Sequence, residues 1–248
     1  MKFFLLVKLY FQRTFVFRLN FVMSSVSTLL SFLFTIMFWY CAMQNSSSIQ
    51  YSIKTMIIYF FIVMLIGLCI QTDVTNKVSW EIYSGNLSSE ILKPVSYNML
   101  NLAQTMSTKV ILFFVLTALS AVLFFIPDYS SFFSLSVLIS LIINYEMCYL
   151  IGLLAFWTNT VWGITMINSV FMNVFGGKFF PISIAGDTFQ FVCKLLPYQY
   201  IYYVPTQILE YKLEPKVILV QIFYMVFLYY LTNIVYKLGT KRFEATGM

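Results

Sequence analysis

An all-α integral membrane protein is the fold class this sequence predicts, and three observations carry that reading. Of its 248 residues 60% are hydrophobic and only 10% charged, with a mean hydropathy of +0.85; a water-soluble domain with so little charge could not cover its own surface. Six apolar runs, near 20–42, 55–75, 106–126, 131–155, 160–180 and 216–237, are each long enough to cross about 30 Å of hydrocarbon at ~1.5 Å per residue. The interruptions between them are short except at 78–94 and 181–215, and both of those are punctuated like short helices. One domain, 1–248, with six transmembrane helices is therefore expected.

Residues 1–19 carry Lys2, Lys8, Arg13 and Arg18 among aromatics. On a helical wheel Phe3, Val7, Tyr10, Phe11 and Phe17 share one side and Lys2, Lys8, Gln12 and Arg13 the other, with Leu5, Leu9 and Val16 intruding on the polar side. Four spaced basic residues argue against a signal peptide. The pattern predicts an interfacial helix lying on the cytoplasmic leaflet.

The loop after the first run, Gln44-Asn45-Ser46-Ser47-Ser48, is short and polar, and those at Ile126–Ser130 and Trp157–Asn159 are tight turns. The stretch Val78–Pro94 reads as two short helices. Ser79 is placed to cap the first, Gly85 to end it in the left-handed conformation, Asn86 to cap the second and Pro94 to stop it. Helices so short are unstable alone in water, so the stretch must rest on lipid or on a partner protein.

Orientation follows from the basic residues. With both termini in the cytoplasm, that side holds Lys2, Lys8, Arg13, Arg18, Lys77, Lys93, Lys109, Lys237, Lys241 and Arg242, and the outside holds Lys54, Lys178, Lys194, Lys212 and Lys216. Ten against five obeys the positive-inside rule, which puts 78–94 in the cytoplasm; a multi-pass protein of the plasma membrane is expected.

Pro181, Gly186, Pro197 and Pro205 cut the fifth interruption into pieces of about ten residues, too apolar for a solvated loop and too broken to span. Residues 181–205 are predicted to be re-entrant short helices dipping back from the outer face.

Several polar residues inside the apolar runs are candidates for a substrate pathway. Glu146, in Ile143-Asn144-Tyr145-Glu146-Met147, is either a contact for a cationic substrate group or a carboxyl hydrogen-bonded to a neighbouring helix. Thr165, Ser169 and Asn173, at i, i+4, i+8 with Asn168 beside them, form one polar stripe that either lines a passage or joins helices. Tyr198, among Tyr200, Tyr202 and Tyr203, belongs either to a substrate exit or to an aromatic belt at the outer interface.

Other function classes find little support. The net charge of +6 is spread over the ends of apolar runs and forms no basic tract, so nucleic acid is not an expected partner. With no histidine and no CxxC among Cys41, Cys69, Cys148 and Cys193, neither a metal nor another cofactor is expected in this chain. There is no G-x-x-x-x-G-K-[ST] loop and no convincing catalytic constellation, so the chain is not expected to be an enzyme or to hydrolyse ATP itself.

Three stretches together resemble a known family. They are Glu81-Ile82-x-x-Gly85-x-Leu87 followed by Leu92-Lys93-Pro94; Gly176-Gly177-x-x-x-Pro181 continuing to Leu196-Pro197-Tyr198 and Tyr203-x-Pro205; and Tyr236-Lys237-x-Gly239-x-Lys241-Arg242 with Gly247. These, and the layout of nearly the whole chain, are similar to the compact bacterial permease subunits of type-2 ABC exporters. The resemblance implies a half-transporter. Two permeases, identical or paired with a similar chain, form the pathway in the lipid, and separate ATPase subunits bind ATP and Mg on the cytoplasmic side.

In that family 78–94 would be the coupling helix, with Glu81, Gly85, Asn86, Leu87, Glu90 and Ile91 at the ATPase. Leu87 and Ile91 would share an apolar edge against it, and Glu81 and Glu90 would meet basic groups nearby. The expected cargo is hydrophobic or amphipathic: an antimicrobial peptide, a lipid-like molecule or a drug. A secondary transporter or a non-transporting immunity or scaffold protein are the alternatives.

Overall fold

The structure, a computed structural model, describes residues 2–14, 18–44, 52–124, 127–210 and 213–245. The predicted polar loop beyond Gln44, Ile126 in the third loop and Gly247 of the tail lie outside these residues. Every regular element described is helical. In order they are α1 (Lys2–Thr14), α2 (Arg18–Gln44), α3 (Ile53–Ile70), α4 (Val74–Tyr83), α5 (Leu87–Ile91), α6 (Tyr97–Phe124), α7 (Pro127–Leu153), α8 (Trp162–Phe175), α9 (Asp187–Lys194), α10 (Tyr203–Leu209) and α11 (Val217–Ala245).

Five stretches are long and apolar enough to cross a bilayer: Val26–Gln44, Ile53–Tyr83, Tyr97–Leu119, Ser131–Phe156 and Val217–Phe243. The fifth predicted span, 160–180, contains only the 14 residues of α8, about 21 Å of helix. Gly176 and Gly177 end it, and Gly177 takes φ 76°, a conformation that costs a residue with a Cβ.

The third span begins at Tyr97 and not near 106. Its first turns hold Asn98, Asn101 and Gln104, polar groups that look like loop in sequence and are satisfied here by neighbouring helices. Lys77 Nζ donates to Asn101 Oδ1 (2.7 Å) and Gln104 Oε1 (2.5 Å), and the Tyr145 hydroxyl lies 2.8 Å from Asn98 Oδ1.

The second span is broken, with Gln71–Asp73 non-helical between α3 and α4. Carbonyls near the break find donors on other spans. Lys109 Nζ donates to Leu68 O (3.1 Å) and Asn144 Nδ2 to Ile70 O (2.7 Å), meeting the requirement that backbone polar groups be satisfied in an apolar medium.

At the centre is α7, against which α3, α4, α6, α10 and α11 all pack. Its Phe133, Val137, Leu141, Ile143, Tyr145, Tyr149 and Leu153 are buried. One core cluster joins α3, α7, α10 and the 197–202 region; a second joins α4, α5 and the C-terminal turns of α7. The outermost helix, α2, packs on α3, with Phe32 edge-on to Phe61 at 6.3 Å. The N-terminal helix α1 packs against α6, and its less exposed side includes Leu6, Val7, Tyr10 and Phe11 while Lys8 is exposed.

The 181–205 segment is made of short helical pieces. It consists of 3₁₀ turns at Ile182–Ile184 and Pro197–Tyr200 with α9 between them, and then α10. Val204, Thr206 and Ile208 are buried where α10 meets α3 and α7. Ile182, Cys193, Gln199 and Tyr200 are buried as well, whereas Gly186, Asp187, Thr188, Phe191 and Leu195 are exposed.

Candidate functional site

The α4–α5 end is built from the inside out. Val74, Thr75, Val78 and Ile82 bury one side of α4 on α7. The Thr75 hydroxyl donates to Cys148 O (2.8 Å), and the approach is close enough that a Cβ at Gly152 would lie 3.0 Å from Val78 Cβ. Gly85 ends α4 at φ 73°, the left-handed turn the sequence predicts.

The predicted caps do not form. Ser79 lies inside α4, its hydroxyl donating to Asn76 O (3.1 Å), because the helix starts five residues earlier, at Val74. Asn86 precedes α5 in helical backbone and makes no side-chain cap.

Leu87 corrects the expectation of an outward apolar edge. It is 0% exposed and belongs to the cluster of Val78, Ile82, Tyr97 and Tyr149, so it anchors α5 to the spans. The exposed apolar edge consists of Trp80 (67% exposed), Tyr83, Ile91 and Leu92 (85%). Glu81 and Glu90 already have partners within the chain: Tyr97 donates its hydroxyl to Glu81, Lys77 lies 3.8 Å from it, and Lys93 pairs with Glu90 at 2.5 Å. Trp80 and Leu92 could have been read from sequence as the apolar residues off the buried face, once the start of α4 was known.

The pathway candidates divide. Glu146 is 1% exposed and turned into the chain's own packing, accepting from Thr232 Oγ1 (2.7 Å) on α11 and Asn98 Nδ2 (3.4 Å) on α6. Of its two sequence readings, the helix-joining one describes this arrangement. The stripe on α8 is different: Ser169 and Asn173 are exposed, and Thr165 and Asn168 half-buried. Asn168 accepts a hydrogen bond from Tyr198 (3.2 Å), whose ring meets Phe171 at 5.7 Å, so two of the predicted sites come together where α8 touches the 197–200 turn.

A family model for ABC-2 family transporter proteins matches residues 29–247. The chain belongs to that family. No curated protein and no solved structure is significantly similar to it. Membership makes it the multi-pass membrane component, the permease, of an ABC transporter and implies ABC ATPase subunits as partners. It sets aside the secondary transporter.

Two buried polar groupings in the permease escaped sequence reasoning. Near α9 and the 197–200 turn, Gln221 of α11 accepts from Ser136 (2.9 Å) and donates to Tyr200 O (2.8 Å) and Ser140 Oγ (3.2 Å), while Ser140 also reaches Tyr200 O (2.8 Å). At the other end, Tyr97, Tyr145, Tyr149 and Tyr236 form an aromatic stack with ring centroids 5.8–6.1 Å apart. Both depend on contacts between helices far apart in sequence, for which a single chain carries no periodic signal.

Glu146 tests the helix-joining role directly. Glu146→Gln is expected to keep the thermal midpoint near wild type, because an amide still offers an acceptor or a donor to Thr232. Glu146→Leu leaves Thr232 and Asn98 without that partner and is expected to cost about 1–3 kcal/mol. A midpoint for Glu146→Leu equal to wild type would remove this role.

Proposed function

We propose that the permease is the membrane half of an ATP-driven exporter of hydrophobic or amphipathic molecules: an antimicrobial peptide, a lipid-like compound or a drug. In this reading it sits in the plasma membrane with both termini cytoplasmic, pairs with a second permease, and is moved by two ATPase subunits that dock on α4–α5. Rigid-body motion of the spans then alternates access to the pathway. The distribution of basic residues supports the orientation.

The observation that carries the reading is the α4–α5 segment, anchored from within by Leu87 while offering Trp80, Tyr83, Ile91 and Leu92 outward. A purely interfacial helix would need no internal anchor, whereas a segment that passes motion from a partner to the spans needs both a grip and a root. The exposed polar stripe of α8 supports the second permease, since Ser169 and Asn173 are poorly suited to face lipid.

Co-purification with the ATPase tests the reading. Trp80→Ala combined with Leu92→Asp is expected to lose the ATPase while leaving the permease's thermal midpoint unchanged. Each buried side chain at such a contact is worth about 1.5–3 kcal/mol, or roughly tenfold or more in affinity. Retention of the ATPase by the double variant would place docking elsewhere.

A further inference from the structure

Among the described residues, one buried side-chain polar atom has no hydrogen-bond partner: the hydroxyl of Tyr149. Its surroundings make that informative. On one side a polar row begins on α4, where Glu81 accepts from Tyr97 of α6. On the other, Tyr145 of α7 reaches Asn98 (2.8 Å), Asn98 reaches Glu146 (3.4 Å), and Glu146 accepts from Thr232 of α11 (2.7 Å). Tyr149 lies between the rows, stacked on Tyr145 at 5.8 Å and 9° and tilted against Tyr97 at 6.1 Å and 45°. Tyr97 and Asn98, adjacent on α6, already hold the two rows side by side, and Tyr149 is the buried hydroxyl beside both that adds no bond of its own. A phenylalanine would fill the same space without burying an unpaired hydroxyl, so the oxygen is a liability in this state.

We propose that the Tyr149 hydroxyl is a state-dependent contact: open here, it closes on the Tyr97 hydroxyl oxygen when the ATPases bind nucleotide. The two rings are neighbours, with centroids 6.1 Å apart, and packed helices slide past one another by about 1–2 Å in such transitions. The closure extends Glu81–Tyr97 directly onto α7, adding to the bonds that Thr75, Lys77 and Asn98 already make among α4, α6 and α7, so that displacement of α4 is passed to α7 at the Tyr97 position. Tyr149 is thus a positioning residue for coupling. The proposal rests on α4–α5 being the ATPase-facing segment.

The test uses the permease–ATPase complex in nanodiscs of phosphatidylglycerol and phosphatidylethanolamine. It reads the thermal midpoint without nucleotide and the rate of ATP hydrolysis. Tyr149→Phe is expected to leave the midpoint unchanged or raise it, while hydrolysis falls at least about tenfold, the loss of a hydrogen bond in a charge-assisted row. Tyr97→Phe removes a contact already made and is expected to lower the midpoint, and adding Tyr149→Phe to it should reduce hydrolysis no further.

A lowered midpoint for Tyr149→Phe would mean the hydroxyl is already paired, by protein or by a buried water, and would overturn the proposal. Unchanged hydrolysis, or additive losses in the double variant, would do the same. A wild-type permease that carries down no ATPase overturns the functional reading and this proposal with it. A coupled wild type with an unaffected Tyr149→Phe overturns this proposal alone.

Discussion

Leu87→Asp is expected to lower the thermal midpoint of the permease before any ATPase is added. The side chain is fully buried among Val74, Val78, Ile82, Tyr97 and Tyr149. Truncating a core leucine costs about 2–5 kcal/mol, and a carboxylate placed there without a donor adds its own desolvation cost. Natural stabilities are about 5–15 kcal/mol, so the change is large enough to detach α5 and expose 84–94 to protease. ATPase binding is lost as a consequence. Ile91→Asp, on the exposed side of the same short helix, is expected to leave the midpoint alone and weaken docking only. Equal midpoints for Leu87→Asp and wild type would return Leu87 to the outer edge.

Gly177→Ala is expected to destabilise the turn after α8 strongly for a single added methyl. The residue holds φ +76°, where a Cβ costs about 1–2 kcal/mol. That Cβ would also lie 2.8 Å from Tyr59 Oη and 3.1 Å from Tyr203 Cβ. Tyr59 donates to Gly177 O at 2.6 Å, a contact between α3 and the turn after α8, so moving the ring away breaks it. Overpacking of this kind adds about 1–3 kcal/mol. Gly163→Ala, in α8 with no neighbour within 4 Å of the added methyl, is the matched control and is expected to be neutral or mildly stabilising. Similar thermal midpoints for the two variants would show that the turn after α8 tolerates a side chain.

Much of this fold was legible because apolar run length and glycine or proline punctuation are local properties. Five of the six spans, the left-handed Gly85 and the short helices within 181–205 follow from such signals, though not the exact ends of the second and third spans. What sequence missed is decided across helices. Ser79 has the chemistry of a cap but sits inside α4, because the break falls at Gln71–Asp73, where Lys109 and Asn144 supply donors from other spans. Leu87 and Ile91 are both apolar and one turn apart, yet only Leu87 is buried, since α5 is too short for periodicity to fix which side faces in. Glu146 looked exceptional in an apolar run until Thr232 and Asn98, 86 and 48 positions away, were seen beside it.

The polar contacts that Gln221 and Thr232 of α11 make with α7 bear on how the chain is assembled. Span by span, a nascent permease enters the bilayer as separate apolar rods, and α11 is made long after α7. Sliding one apolar rod past another by two turns sacrifices little dispersion energy, so lipid-embedded leucines and phenylalanines specify alignment weakly. Gln221 and Thr232 lie about 16 Å apart along α11, and their partners Ser136 and Glu146 sit correspondingly on α7. A misaligned pairing strands a carboxamide and a carboxyl in hydrocarbon together, and correcting one without the other is impossible while both helices stay rigid. The pair therefore acts as a two-point gauge of the register of α11 on α7.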